Sequence, residues 1–394
     1  MKVLFVLSDI QLPPKEGLHK QTLLLMKAIS RVATVSTYCL FRNQVPDADL
    51  LRHIADADVI GQAKYSGKSI LFALGTKRRV KSAAIKTING YSFDVIVLDG
   101  AAAISLSKSI SSNAVVANWV DPGSVRYGRF AKSTNVAGRK VAYTLAAWAY
   151  KILERRARRF TQKRVYVSPS DAAEVRRLGD QHATAIPIIA DLDTGTRAPK
   201  SANWPDEEKI VLVYVDGTVS HGREALLTAL RELSNAELPD ATVVRVLARV
   251  EEDVELRAAS GRLSVEFMKW VDDPAVELAN CTVAVLPDLY GSGVKNRTIE
   301  ALSLAPALLA TSVALEGIGV SEQLRSTLEY ESGDLITAVE HHLHGRKPRT
   351  CDDTAEVNQI LSSMSSVSVA RRWASLLNEV AHASDTDKTN ERTV

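Results

Sequence analysis

Residues 286–318 read LPDLYGSGVKNRTIEALSLAPALLATSVALEGI (Leu286 to Ile318). An apolar run ends at Pro287, a loop with Gly291 and Gly293 follows, and a helix is expected to begin near Val294 and return the chain to a second buried strand, ALLAT (Ala307 to Thr311). Strand, glycine-bearing loop, helix and strand, in that order, are the unit from which parallel α/β sheets are built. Backbone N–H groups at such a helix start, with Lys295 and Arg297 in its first turns, make a place for an anion such as phosphate. A glycine loop that only packs tightly, with two solvated cations, explains the same residues, so the surrounding sequence has to decide.

Outward from this stretch the alternation continues in both directions. Upstream stand KIVLVYV (Lys209 to Val215), TVVRVLA (Thr242 to Ala248), SVEFM (Ser264 to Met268) and TVAVLP (Thr282 to Pro287), separated by helical patterns. The first half repeats the arrangement with KVLFVL (Lys2 to Leu7), VATVSTY (Val32 to Tyr38), FDVIVLD (Phe93 to Asp99), AVVANWV (Ala114 to Val120) and RVYVS (Arg164 to Ser168). This predicts an α/β protein of two Rossmann-like, doubly wound parallel-sheet domains. Ligands of such sheets bind beyond the carboxyl ends of the strands, so two of them are expected to face a central cleft. Residues 191–208, polar and broken by Pro199 and Pro205, read as the linker between domains at 1–190 and 209–365. Val369, Trp373, Leu376, Leu377 and Val380 give residues 366–382 one apolar helical face, expected to pack back on the N-terminal domain, and 383–394 read as a disordered tail.

With 394 residues, 46% hydrophobic and 24% charged, and only 20 Gly and 13 Pro, the chain is not collagen-like, disulfide-stapled or wholly disordered. Cys39, Cys281 and Cys351 are widely spaced and make neither a disulfide framework nor a zinc site. His341, His342 and His344 have no acid or cysteine arranged beside them for zinc, and no metal or cofactor is predicted. MKVLFVLSDI lacks the longer apolar core of a secretory signal, and nothing reaches the roughly 18 to 20 apolar residues of a membrane span, so a cytoplasmic protein is expected. The sequence YSGKS near Lys68 has the wrong glycine spacing for a phosphate loop.

Charge is divided unevenly. Residues 1–200 hold 31 Lys and Arg against 15 Asp and Glu, while residues 201–394 hold 18 against 31. The basic half points to an anionic partner, and its densest segment is KILERRARRFTQKR (Lys151 to Arg164), after VAYTLAAWAY. Leu145, Ala149, Ile152 and Phe160 suggest an apolar stripe, with Arg155, Arg158, Arg159 and Lys163 on other faces and Lys77, Arg78, Arg79 and Lys81 adding charge. That combination suits the inner face of an anionic membrane. Nucleic acid is not expected, since neither an aromatic platform nor a helix-turn-helix pattern accompanies the charge.

The 286–318 segment resembles the donor-binding motif of retaining GT-B glycosyltransferases of family 4, which includes bacterial polysaccharide and glycolipid enzymes. The family pattern is a strand, a proline, a small loop, an acid, and, after seven intervening residues, a glutamate, and Glu300 matches the glutamate that holds the ribose hydroxyls. Ser292 stands where the first acid usually stands, a replacement common among members with a GSGVK-type loop. FMKWVDDPAVELANCTVAVLP resembles the strand, turn and helix before the motif, with Trp270 for a usual glycine and Val271 and Asp272 near the base pocket. VYVSPSDAAEVRRLG and IPIIADLD resemble the end of the first domain, with Asp193 after the proline, so Asp191 and Asp193 match the family rather than a metal-binding pair. The first loop carries only Gly17 where paired glycines are usual, and VDGTVSHGREA offers Gly217 and His221 where an Arg and a Lys usually meet the diphosphate; His221 reads equally as an ordinary loop histidine.

The resemblance implies a metal-independent transferase that moves a sugar from a nucleotide-diphosphate donor to a glycan or lipid-linked acceptor with retention. Lys295, Arg297, Val294 and the Gly293 amide would face the diphosphate, and Asp121, in NWVDPGSVRYGRF (Asn118 to Phe130), would orient a sugar or acceptor hydroxyl with Arg126 beside it. Two alternatives share the architecture: a sugar-nucleotide epimerase, and a catalytically silent relative that supports an active partner.

Overall fold

The computed structural model describes residues 1–14, 17–65, 82–134, 136–190, 209–268, 271, 274–331, 333–344 and 351–391, without the side chains of 351, 352 and 385–391. The linker at 191–208 with Asp191 and Asp193, the residues Trp270 and Asp272, and the cluster Lys77, Arg78, Arg79 and Lys81 lie outside the described residues. The chain divides into two compact units, Met1–Ile189 with Ser363–Val394, and Ala190–Ser362.

The first unit runs β1 (Lys2–Ser8), α1 (Gly17–Ser30), β2 (Thr34–Phe41), α2 (Ala48–Ala55), β3 (Asp58–Lys64), α3 (Ser82–Gly90), β4 (Val95–Asp99), α4 (Ala101–Ile104), β5 (Val115–Val120), α5 (Gly123–Ser133), α6 (Ala137–Phe160), β6 (Lys163–Tyr166), α7 (Pro169–Arg177) and β7 (Ala183–Ala185). Its seven strands are ordered β3-β2-β1-β4-β5-β6-β7, with every pair parallel. Alternate residues of a strand point to opposite faces. On β1, Val3, Phe5 and Leu7 therefore enter one core while Leu4 and Val6 enter another. A strand apolar at every position is the consequence of covering both faces.

The second unit runs β8 (Lys209–Tyr214), α8 (Ser220–Ser234), β9 (Thr242–Leu247), α9 (Val254–Ser260), β10 (Val265–Met268), α10 (Pro274–Asn280), β11 (Val283–Leu286), α11 (Asn296–Leu304), β12 (Leu308–Ala310), α12 (Glu322–Leu328), α13 (Leu335–Leu343) and α14 (Cys351–Ser363). Its five parallel strands are ordered β10-β9-β8-β11-β12. The final helix, α15 (Ser366–Glu391), returns to the first unit, where Val369, Trp373, Leu376, Leu377 and Val380 join the core that holds Phe5, Met26 and Ile29.

Three features differ from the sequence expectation. β3 and β7 are additional strands at the two edges of the first sheet; DVIGQAK is half-exposed and carries charge at both ends, and ATA is only three residues long, so neither has the apolar run of a buried strand. α11 begins at Asn296, because Lys295 keeps extended backbone geometry as its cap. α15 continues through 383–391, where disorder was expected: HASDTDKTNE contains no Gly or Pro, and a helix already nucleated on a core extends at little cost.

Strand order reverses between β1 and β4 in the first sheet and between β8 and β11 in the second. The crossovers leave these strand pairs toward opposite faces, which opens a crevice at their carboxyl ends where open α/β sheets take ligands.

Candidate functional site

In the second unit a side-chain hydrogen bond crosses this reversal point. Tyr214, the last residue of β8, donates its hydroxyl to Glu300 Oε2 on α11 at 2.9 Å. Burial, first, and the neighbouring Glu300 carboxylate raise the Tyr214 phenol above its ordinary value, so it stays a donor. The chain after β8 then turns tightly. Gly217 donates its N–H to the Ala248 carbonyl at 3.0 Å, and a Cβ there would lie 2.9 Å from that oxygen and 2.8 Å from Val250 Cγ1. A Cβ on Gly222 would collide with the Asp216 carbonyl, so the first turn of α8 can lie against the loop only with glycine in place. His221 occupies that same first turn and is half-buried. The cap residue of α8, Val219, supplies no side-chain hydrogen bond to the opening amides.

The loop from β11 to α11 lies at the same edge. Gly293 is buried with φ 71°, in the left-handed region that glycine adopts without strain, and Ser292 and Val294 flank it half-buried. Lys295 Nζ donates to the Val313 carbonyl at 2.6 Å and the Gly293 carbonyl at 3.3 Å, which pins the ammonium against the loop. Its stem packs 3.3 Å from the position of a Cβ on Gly291. Lys295, as cap of α11, gives the opening amides no side-chain hydrogen bond, and Val219 gives none to those of α8, so two helix N-termini lie at this edge without a cap from the cap residue's side chain. Each concentrates partial positive charge there.

Arg297 has a task that the sequence did not reveal. It forms a bidentate pair with Asp288, Nε to Oδ2 at 3.1 Å and Nη2 to Oδ1, and Asp288 is buried. Thr311 Oγ1 donates to the Asp288 carbonyl at 2.6 Å. The expected phosphate cation therefore braces the loop, with its charge offset by a carboxylate nine residues upstream. The structure brings Glu300, Lys295, Ser292, Gly293 and Val294 together on one loop and helix, with Gly217 on the loop after the adjacent strand and His221 in the first turn of α8. Val271 is half-buried. Tyr214 and Gly222 were missed: a Tyr ending an apolar strand reads as core, and Gly222 as an ordinary helix residue.

In the first unit, Asp121 follows β5 and accepts two hydrogen bonds from Arg126 Nη1, at 3.1 and 3.2 Å, while the guanidinium lies 4.9 Å from the Tyr127 ring centroid. Arg126, expected to meet an acceptor or membrane, is thereby held against Asp121 and the ring. Val120, just before them, has φ 64°, a conformation costly for a β-branched residue. Asp9 after β1 (φ 54°) and Arg249 after β9 (φ 54°) are also in the left-handed region. All three stand at carboxyl ends of strands, where strain accompanies ligand sites. Gly17 is the exposed first residue of α1.

Asp99, at the carboxyl end of β4, is a further buried carboxylate. It accepts from Thr22 Oγ1 at 3.2 Å and Asn118 Nδ2 at 3.1 Å, and burial pushes it up to about 6 despite those donors. Glu154, in the middle of the basic helix α6, accepts from Ser124 N at 3.0 Å and Oγ at 2.5 Å, and burial raises it to about 6 as well. Of the basic residues singled out on this unit, Arg155 and Arg159 are exposed. Arg158 is not: it donates to the Leu178 carbonyl at 2.8 Å and lies 3.6 Å from Asp180. Lys163 pairs with Glu379 of α15 at 2.6 Å.

Searches of family models and of curated proteins match nothing. Solved structures do match along nearly the whole chain. HepE of Anabaena, in complex with UDP and glucose, superposes with a TM-score of 0.62 at 13% identity, over 96% of this chain and 100% of that one. A glycosyltransferase from Rickettsia africae gives 0.59 at 13% identity, over 96% and 98%. A putative UDP-N-acetylglucosamine 2-epimerase from Listeria monocytogenes gives 0.53 at 12% identity, over 95% and 94%. The class is that of the GT-B glycosyltransferase fold, two parallel-sheet α/β domains in one chain.

Proposed function

We propose that the protein is a glycosyltransferase that moves a sugar from a nucleotide-diphosphate donor to a glycan or lipid-linked acceptor, with retention of anomeric configuration and without a metal. The observation that carries this reading is the Tyr214–Glu300 bond across the β8/β11 reversal, beside the starts of α8 and α11. A carboxylate held by a phenol is a bidentate acceptor for ribose hydroxyls, and the helix starts are matched to a diphosphate. The solved complex of Anabaena HepE with UDP and glucose, on the same fold, supports the substrate class.

Departure of the nucleoside diphosphate leaves oxocarbenium character on the sugar and builds negative charge on the leaving group. Groups already fixed where that charge appears lower the barrier without reorganising. In this chain they are the amides opening α8 and α11, the Lys295 ammonium and the Gly293 amide, with His221 as a donor. Arg297, paired with Asp288, acts through the loop's shape. Asp121, clamped by Arg126, is suited to orienting a hydroxyl. Retention rests on the resemblance of residues 286–318 to retaining enzymes, in which the leaving phosphate takes the acceptor proton.

Lys295→Ala is expected to lower kcat by about tenfold or more, the equivalent of roughly 1.4 kcal/mol of lost charge stabilisation. An unchanged rate at saturating donor removes Lys295 from the mechanism. The likeness to a putative epimerase supports a second reading, in which the same donor site inverts a sugar centre without an acceptor. Product analysis with donor alone separates the two: a free epimerised nucleotide sugar supports the epimerase, and acceptor-dependent release of nucleoside diphosphate supports the transferase.

A further inference from the structure

Among the described residues, the most exposed large apolar side chains on any one helix of the first unit belong to α6. Val141 is 61% exposed, Leu145 56% and Trp148 55%. Spaced i, i+4 and i+7, they form a single stripe. The opposite side of the helix is packed: Ala146, Ala149, Leu153 and Ala157 are buried, and Tyr143 and Tyr150 lie against Tyr127 of α5, with Tyr150 and Tyr127 stacked at 5.3 Å. The stripe anticipated from sequence therefore differs, because Ala149 faces inward and the outward line runs through Val141 and Trp148. Farther along the same outward line stand Arg155 and Arg159, both exposed, with exposed Lys140 and Lys151 at its side. Residues 122–160 contain ten Lys and Arg and one acid, Glu154, which is buried on Ser124.

We propose that this face of α6 docks the protein on an anionic lipid bilayer, with Val141, Leu145 and Trp148 entering the acyl boundary and Lys140, Lys151, Arg155 and Arg159 meeting headgroup phosphates. Charge complementarity selects the occupant. A second copy would bring the same acid-free basic face against itself, and like charges repel. Aliphatic side chains on the line favour hydrocarbon over a nucleic-acid backbone, and an indole beside them suits the interface between headgroup and acyl chain. Among the described residues no helix is long and apolar enough to cross a membrane, so contact of this kind is peripheral. The inference deepens the lipid-linked acceptor reading, yet it involves neither donor nor catalysis and can fail while nucleotide binding stands.

The full chain is sedimented with phosphatidylcholine vesicles with and without phosphatidylglycerol, at low and high salt. Binding is expected only with phosphatidylglycerol and is expected to weaken as salt screens the cations. Leu145→Ser with Trp148→Ser is expected to weaken it by about tenfold or more, since two apolar side chains then no longer gain from leaving water. Both positions are exposed, and an unchanged melting temperature confirms that the variant is folded. Absence of binding to anionic vesicles overturns the proposal, as does full binding by the double variant. A wild-type dimer that dissociates in that variant, or preferential binding of DNA over vesicles through this face, overturns it equally.

Discussion

Glu300 takes its orientation from a phenol on a different strand, so its two functions can be separated by substitution. Glu300→Ala removes a charged acceptor and is expected to weaken nucleotide binding by about ten- to a hundredfold, from the roughly 1.5 to 3 kcal/mol of a charge-assisted hydrogen bond. Tyr214→Phe removes only the tether, and a loss of about fivefold is expected from the roughly 1 kcal/mol of an ordinary one. Calorimetric titration with nucleoside diphosphate ranks the two; an equal loss would mean that Tyr214 itself meets the nucleotide. Asp99 makes a different prediction at this scale. Its folded value, about 6, lies above the ordinary 3.8, so between roughly pH 4 and pH 6 the folded chain holds more protons than the unfolded one. The contribution is present at the acid end and lost as pH rises through about 6. Glu154 acts in the same direction. Asp99→Asn is expected to flatten the fall in stability across that window by about 2 to 3 kcal/mol, following the size of the shift. Chemical denaturation at pH 4 and pH 7 measures it, and a difference from wild type that does not change with pH would contradict the assignment.

Elements differ in how far their sequences reveal them. The line Val369, Trp373, Leu376, Leu377 and Val380 identifies one face of α15 because its other faces are polar, and all five are buried with α1 and β1. Trp373→Ala is expected to cost about 3 to 5 kcal/mol, as loss of a fully buried indole leaves a cavity, and a change in unfolding midpoint within about 1 kcal/mol would show that α15 is not part of the core. α6 was harder to read because it carries two apolar lines, one of small alanines that pack closely and one of larger residues left outside. Sequence periodicity does not say which of two such lines a neighbour covers. β3 and β7 escaped because edge strands need only one neighbour and carry no continuous apolar run. The Arg297–Asp288 pair escaped for a related reason: Asp288 lies across a loop whose path is not written in residue spacing.

For the whole molecule, the alternation of buried strands with helices was legible from Lys2 to Thr311 and specified two parallel sheets before any side-chain geometry was known. The reversal of strand order was not, since order depends on which side each crossover takes. It is the reversal between β8 and β11 that turns Gly217, His221, Gly293, Lys295 and Glu300 from separate residues into neighbours at one sheet edge. The donor reading rests on that convergence. Its direct test is a titration of the intact protein with UDP-, GDP-, dTDP- and ADP-sugars, followed by calorimetry and thermal unfolding, with Glu300→Ala in parallel. One nucleotide class is expected to saturate the wild-type protein and, at about a hundredfold excess over its Kd, to stabilise it by about 2.7 kcal/mol, with much weaker binding to the variant. Saturation by none of the four, or binding that Glu300→Ala leaves intact, would contradict a nucleotide-sugar site at this edge.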